Sequence, residues 1–179
     1  IDMVNQRVTD LDRFVGDIID HSRNSRMAIV QEVVDFDKLI DNVFAKLKYI
    51  EGADQISLIK ALKIHEFATD LSRLTVILTN MMSNAIKYAD IEKPEQWIKV
   101  SSEHKASSIV LTIEDNGIGI DDTHRGQIFE MFYRASDRSD GSGLGLYIVH
   151  EAVHKLKGTI SVSSSLKNGT KFTITLPVY

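Results

Sequence analysis

Apolar side chains recur at Ile1, Val4, Val8, Leu11, Val15 and Ile18, in alternating steps of three and four residues. Such a heptad seam calls for a partner helix, and Phe14 and Ile19 widen it towards a helical bundle. A helix folded onto its own domain would share the pattern. The bundle reading is preferred because the polar run His21-Ser22-Arg23-Asn24-Ser25-Arg26 cuts the segment off before the first globular signals. From Gln31 the texture changes. Val33-Val34 suits a short strand, and Asp35 suits the cap of a helix running to about Tyr49. Gly52-Ala53-Asp54 turns the chain into a strand over 56–62. Residues 71–88 place Leu71, Leu74, Ile77, Leu78, Met81, Met82, Ala85 and Ile86 on one broad face, which predicts a strong amphipathic helix. Residues 97–102 and 108–113 alternate as half-buried antiparallel strands do. A glycine-bearing loop, a helix over 144–156 and two strands, 158–163 and 170–176, complete the order, the last two joined at Asn168-Gly169. The expected fold is a two-layer α/β sandwich, a mixed and mostly antiparallel sheet with helices on one face, preceded by a bundle helix. Residues 1–30 form the helical part and 31–179 the globular domain.

Composition narrows the chemistry. Lys and Arg number 21 against 25 Asp and Glu, for a net charge of -4, so no global field draws nucleic acid or an anionic membrane. A phosphate-bearing ligand must be met by a local site. Cysteine is absent, which removes a disulfide framework, a thiolate zinc cage and a cysteine nucleophile. No uncharged apolar run approaches the roughly 20 residues of a membrane helix. The chain opens on Ile1 inside a helical pattern, so a piece of a longer protein is expected.

Three clusters carry candidate chemistry. In Asn80-Met81-Met82-Ser83-Asn84-Ala85-Ile86-Lys87-Tyr88, residues Asn80, Asn84 and Lys87 share one side of a helix. Amide oxygens are hard donors suited to Mg²⁺, and a lysine pairs with phosphate oxygens; a merely solvated polar face fits equally well. Glu114-Asp115-Asn116-Gly117-Ile118-Gly119-Ile120 follows a strand directly. It reads either as an Asn-Gly hairpin turn or as a corner where Asp115 accepts from an exocyclic amine while the glycines admit a flat base. Gly141-Ser142-Gly143-Leu144-Gly145-Leu146 opens a helix, where backbone N–H groups can converge on an anion.

In this order the clusters resemble the catalytic ATP-binding domain of bacterial sensor histidine kinases, in the superfamily shared with gyrase, MutL and the ninety-kilodalton heat-shock chaperone. Residues 80–88 are similar to the family's N box, 115–120 to its first glycine box, 129–134 (Phe-Glu-Met-Phe-Tyr-Arg) to its F box and 141–146 to its second glycine box. The ending Gly169-Thr170-Lys171-Phe172-Thr173-Ile174-Thr175-Leu176-Pro177 matches the last strand. The resemblance implies a Bergerat-type ATP-binding fold over residues 31–179, with residues 1–30 as the second helix of a dimerisation hairpin. It implies that Asn84 coordinates Mg²⁺ with Asn80 nearby, that Lys87 touches phosphate and that Tyr88 lines the pocket. Asp115 would read the adenine amino group, with Gly117, Gly119, Ile120 and Thr170 at the base. Residues 121–142 would form a lid bearing Phe132, Gly141 and Arg134, the last a candidate phosphate contact, and Gly143, Leu144, Gly145 and Leu146 would cradle the phosphates. ATP and Mg²⁺ are the implied cofactors. A response regulator receiver domain and a second copy of the parent protein are the implied partners, in the cytoplasm, with no nucleic acid and no membrane contact by this segment.

The same comparison separates transfer from hydrolysis. ATPase relatives place a glutamate one turn before the Mg²⁺ asparagine; here that position is Asn80, and a neutral amide is no general base near pH 7. A histidine kinase acting on a histidine upstream of Ile1 is expected, against a superfamily ATPase or a non-catalytic nucleotide module. No Gly-Lys dipeptide occurs, which removes a P-loop. His150-Glu151-Ala152-Val153-His154 spells a zinc-protease string, but no Asp, Glu or His follows to supply a third ligand. His65-Glu66 mimics a phosphoacceptor box in the wrong setting, beside strands just ahead of the N-box helix. His21 lies on the second helix of the hairpin and is followed by Ser-Arg, so neither is expected to accept phosphate.

Overall fold

The computed structural model describes residues 27–135 and 142–178. The heptad segment and Gly141 lie outside the described residues. After an extended approach, strand β1 (Glu32–Asp35) leads into helix α1 (Phe36–Lys46), two short 3-10 turns and strand β2 (Ile56–Leu62). Asp35 caps α1 by accepting from the Lys38 N–H over 3.0 Å. The helix ends three residues earlier than expected, because the chain tightens into the 3-10 turn Leu47–Tyr49. Lys60 on β2 bridges Asp37 and Asp41 of α1 at 2.6 and 2.8 Å, tying helix to strand.

Strand β3 (Glu66–Thr69) was not foreseen. It pairs antiparallel with β1 in a separate two-stranded sheet, Val34 opposite Phe67. Only Phe67 and Thr69 of its four residues point inward, too few to show as a period. Helix α2 (Leu71–Lys87) then crosses the molecule, with Asp70 as its N-cap. Seven of the eight expected apolar positions on α2 are buried. Leu71 is the exception at 38% exposed, since it begins the helix before the helix settles on the sheet.

The main sheet comprises β2, β4 (Gln96–Lys105), β5 (Ser108–Asp115), β7 (Gly169–Pro177) and β6 (Thr159–Ser165), in that order across it. Only β2 and β4 run parallel. Strands joined by short turns pair antiparallel, whereas β2 reaches β4 through β3 and α2, long enough for a crossover. One face presents Ile98, Val100, Ile109, Leu111, Ile113, Phe172, Ile174 and Leu176 to α2 and to α3 (Gly145–Lys155), which supplies Ile148, Val149, Ala152 and Val153. On the other face Lys99, Glu114 and Lys171 face one another across three adjacent strands, an alternation of sign that favours this register. The α/β sandwich expected from the pattern is the observed fold.

The β6–β7 turn differs in detail. Ser165 pairs with Gly169, so the loop is Leu166, Lys167 and Asn168, with Lys167 and Gly169 both at positive φ. Gly169 is a strand residue rather than half of a two-residue turn, and the reason lies in the site it borders.

Candidate nucleotide-binding site

The carboxyl-terminal half of α2 forms one wall. Its apolar stripe faces the sheet, which leaves Asn80 and Asn84 half-buried one turn apart and Lys87 exposed at the helix end. Asn80 donates from Nδ2 to the Val76 carbonyl over 2.9 Å, so its Oδ1 is turned to other use. A Cβ on Gly145 would stand 2.9 Å from that Oδ1. The N-box amide and the first residue of α3 therefore meet, and glycine is what lets them. The Asn84 side chain makes no hydrogen bond among the described residues. Two carboxamide oxygens on one helix side suit a hard cation that keeps waters and takes phosphate oxygens as its remaining ligands.

The first glycine corner closes against the same helix. Ile118 N–H donates to the Tyr88 carbonyl over 3.0 Å, and a Cβ on Gly117 would collide with that carbonyl oxygen. The chain thus does not turn back as a hairpin after β5. Asn116 is anchored instead, accepting from the Trp97 N–H over 2.9 Å and donating to the Glu95 carbonyl over 2.8 Å. Asp115 receives the Gly117 N–H over 2.8 Å and the Thr170 N–H over 3.3 Å, both on Oδ1. Among the described residues Oδ2 is left to accept from elsewhere. Burial pushes the Asp115 carboxyl up to about 6, against the two backbone donors and the nearby Lys93 charge. A carboxylate held at that cost, beside glycines and at a strand end, is what a site for a neutral hydrogen-bond donor needs.

Behind it lies the β6–β7 turn. Gly169, at φ 84°, has no room for a Cβ because the Asp115 carbonyl occupies the position, and Gly119, at φ 75°, meets the Ser165 carbonyl in the same way. Both glycines are required by close backbone approach. Ser164 joins the parts: its Oγ accepts from the Ile120 N–H at 2.8 Å, donates to the Gly169 carbonyl at 2.8 Å and lies 3.0 Å from the buried Thr170 hydroxyl. Sequence reasoning missed Ser164 and Lys93, which nothing local marks, and read Asn116 only as half of an Asn-Gly turn; each acts on residues distant in the chain.

The F-box segment and the second glycine corner are also joined. Phe132 N–H donates to the Gly143 carbonyl over 3.1 Å, and a Cβ on Gly143, at φ 71°, would press into the Phe132 backbone at 2.7 Å. Leu144 is 2% exposed, so only its backbone can face a ligand, and Leu146 packs partly into the core. Arg134 is exposed just beyond Phe132. Thus the structure groups Asn80 with Gly145, Tyr88 with Gly117, Asp115 with Thr170, Ile120 with Ser164, and Phe132 with Gly143. Of the decoys, His150 lies tilted against Phe129 with ring centroids 5.7 Å apart, and His65 lends its carbonyl to the Phe36 N–H. Among the described residues no group of three His, Asp or Glu could hold a metal, and no helix is long and apolar enough to cross a membrane.

Residues 69–179 match the family described as histidine kinase-, DNA gyrase B-, and HSP90-like ATPase. The chain belongs to that family. ATP is accordingly the ligand of this ATPase-family domain. Sensor protein SrrB of Staphylococcus aureus is 31% identical over 176 residues, covering 93% of this chain. The chain spans 29% of that relative's length. Among solved structures, a mycobacterial sensor histidine kinase, MprB, is 29% identical with a TM-score of 0.70, over 83% of this chain and 97% of that one. The Acinetobacter baumannii histidine kinase AdeS is 26% identical with a TM-score of 0.78, over 99% and 83%. The motifs of this ATPase-family domain are those of the histidine kinase type.

Proposed function

We propose that this domain binds Mg·ATP and presents the γ-phosphate to a histidine of the parent protein, for later transfer to an aspartate on a response regulator receiver domain. Asp115 accepts from the adenine amino group through Oδ2, with Gly117, Gly119, Ile120 and Thr170 around the base and Tyr88 along the pocket. Asn84 and Asn80 offer amide oxygens to Mg²⁺, whose chemistry when bound is to neutralise charge on the phosphate oxygens. Lys87 and Arg134 stand where they can add positive charge. The N–H groups of Gly143, Leu144, Gly145 and Leu146 at the start of α3 receive phosphate oxygens, and Gly141 and Phe132 belong to the covering segment. In the intact kinase, whose catalytic region lies in the cytoplasm on this reading, two copies of the parent protein meet.

The observation that carries this reading is Asn80 beside Gly145. The position that hydrolytic superfamily members fill with a glutamate holds an amide already spent in part on Val76, so nothing there activates water. Catalysis then rests on positioning and charge neutralisation, and the acceptor must be brought to the phosphate. The test mixes the chain with a separate acceptor-hairpin fragment and γ-labelled ATP. Label in an acid-labile, alkali-stable phosphohistidine is the expected result; steady release of labelled phosphate without protein label would make the domain an ATPase instead.

A further inference from the structure

Between α2 and β4 runs a short polar loop whose Lys93 reaches away from its own neighbours. The loop is held by its own bonds: Lys93 N–H donates to the Asp90 carbonyl at 3.1 Å, and the Gln96 amide donates to the carbonyls of Asp90 and Lys93 at 3.2 and 2.6 Å. From that base the half-buried ammonium donates to the Asn116 carbonyl at 2.5 Å and the Lys167 carbonyl at 2.7 Å, with the Gly117 carbonyl at 3.5 Å. The first two belong to segments 51 residues apart in the chain, the glycine corner after Asp115 and the β6–β7 turn. They face each other with no side chain of their own between them, because Gly119 and Gly169 bring backbone against backbone there.

We infer that Lys93 is a positioning residue for purine recognition: it staples the corner at Asn116 to the turn at Lys167 and so fixes the direction of the Asp115 carboxylate. The inference rests on the reading of Asp115 as the adenine acceptor. Three carbonyl dipoles converging on one ammonium satisfy its three donors, a use that neither a shorter nor a neutral side chain repeats. The positive charge also acts on the carboxylate from behind and favours its ionised, accepting form against burial. Glu114 acts in the opposite sense. The other strands facing Asp115 present Ile98 and Thr170, which carry no charge, and α2 presents the Tyr88 backbone.

The test is calorimetric titration of the 179-residue chain with Mg·ADP and Mg·GDP from pH 5 to 8, for Lys93→Met, Lys93→Gln, Lys93→Arg and Asp115→Asn. Lys93→Met should weaken ADP binding about tenfold, the scale of one lost charge-assisted hydrogen bond, and narrow the preference for ADP over GDP. It should also move the pH below which ADP binding fades upward by about half a unit or more, as loss of a nearby positive charge requires. Lys93→Arg should restore most of both; Lys93→Gln, which keeps donors without charge, should share the pH shift even if Lys93→Met fails to fold. A merely structural lysine would leave the pH midpoint where it was. If Asp115→Asn loses ADP affinity while Lys93→Met and Lys93→Gln keep wild-type affinity and pH midpoint, the staple is refuted and the adenine reading survives. If Asp115→Asn binds ADP as the parent does, the adenine reading fails and the staple's purpose with it.

Discussion

Asp115 and Thr170 lie opposite each other at the ends of β5 and β7, and the Thr170 N–H points at the Asp115 carboxylate rather than only across the ladder. The pairing puts a buried acceptor at the rim of the sheet, where β5 leaves for the glycine corner. Its energetic consequence can be measured without any ligand. With the folded carboxyl at about 6 and the ordinary value at 3.8, the folded state keeps a proton that the unfolded chain has lost between those pH values. Stability of the unliganded domain therefore falls as pH rises from about 4 through 6, by at most about 3 kcal/mol for two units. Asp115→Asn removes that penalty. Its unliganded form should melt above the parent at pH 8 and by about half that margin at pH 5, while binding ADP about 10- to 100-fold more weakly. Thermal melts at the two pH values, paired with the ADP titration, check both signs at once.

The Asn84 side chain is half-buried and makes no hydrogen bond among the described residues, so its removal should cost the fold little. Asn84→Ala is expected to keep the melting temperature within the scatter of surface substitutions, roughly 0.5 kcal/mol. The same variant should lose most of the Mg²⁺ dependence of nucleotide binding. Titrating ATP with and without Mg²⁺ reads this directly, and an unchanged Mg²⁺ effect would remove Asn84 from the metal site.

Gly143 sits at φ 71° with the Phe132 backbone where a Cβ would go. Gly143→Ala combines a strained backbone with a backbone clash, each costing on the order of 1 kcal/mol or more. The segment carrying Phe132 should separate from the second glycine corner, weakening ATP binding severalfold. Gly126, whose added Cβ meets nothing, is the control. Gly126→Ala should bind ATP as the parent does in the same fluorescence titration.

Asp70 and Arg73 form a pair whose side chains are 4% and 3% exposed, with Nη1 to Oδ2 at 2.5 Å. Asp70 also caps α2 through the Arg73 N–H and accepts the Val30 N–H over 3.0 Å, and Arg73 donates to the Met27 carbonyl over 2.6 Å. Burial alone would raise the Asp70 carboxyl, but these backbone donors and the guanidinium outweigh it and hold the carboxyl below its ordinary value. Its stabilisation is present above that ordinary value and is lost as pH falls through the lowered one. Asp70→Ala should cost about 3–5 kcal/mol, since it strands a buried guanidinium. Urea unfolding would measure the loss, and proteolysis should cut first near residues 27–30, which this pair holds.

Periodicity and local chemistry in the chain were enough for the helices and most strands. Asp35 and Asp70 mark their helix starts by composition, the stripe from Leu74 to Ile86 sets the buried face of α2, and alternation finds β4, β5 and β7. Motif spacing also singled out Asn80, Asp115, Gly117, Gly119, Gly143 and Gly145, which the fold brings against neighbouring backbone and side chains. What the chain's order could not disclose is where distant backbones touch. β3 has two inward residues and a partner more than thirty residues upstream, so its pairing leaves no local period. Ser164 and Lys93 look like ordinary surface residues until Ile120, Gly169, Asn116 and Lys167 are brought around them. Side-chain period and capping are properties of a few neighbouring residues, whereas a hydroxyl or an ammonium acquires its role from whichever carbonyls the folded sheet carries to within about 3 Å of it.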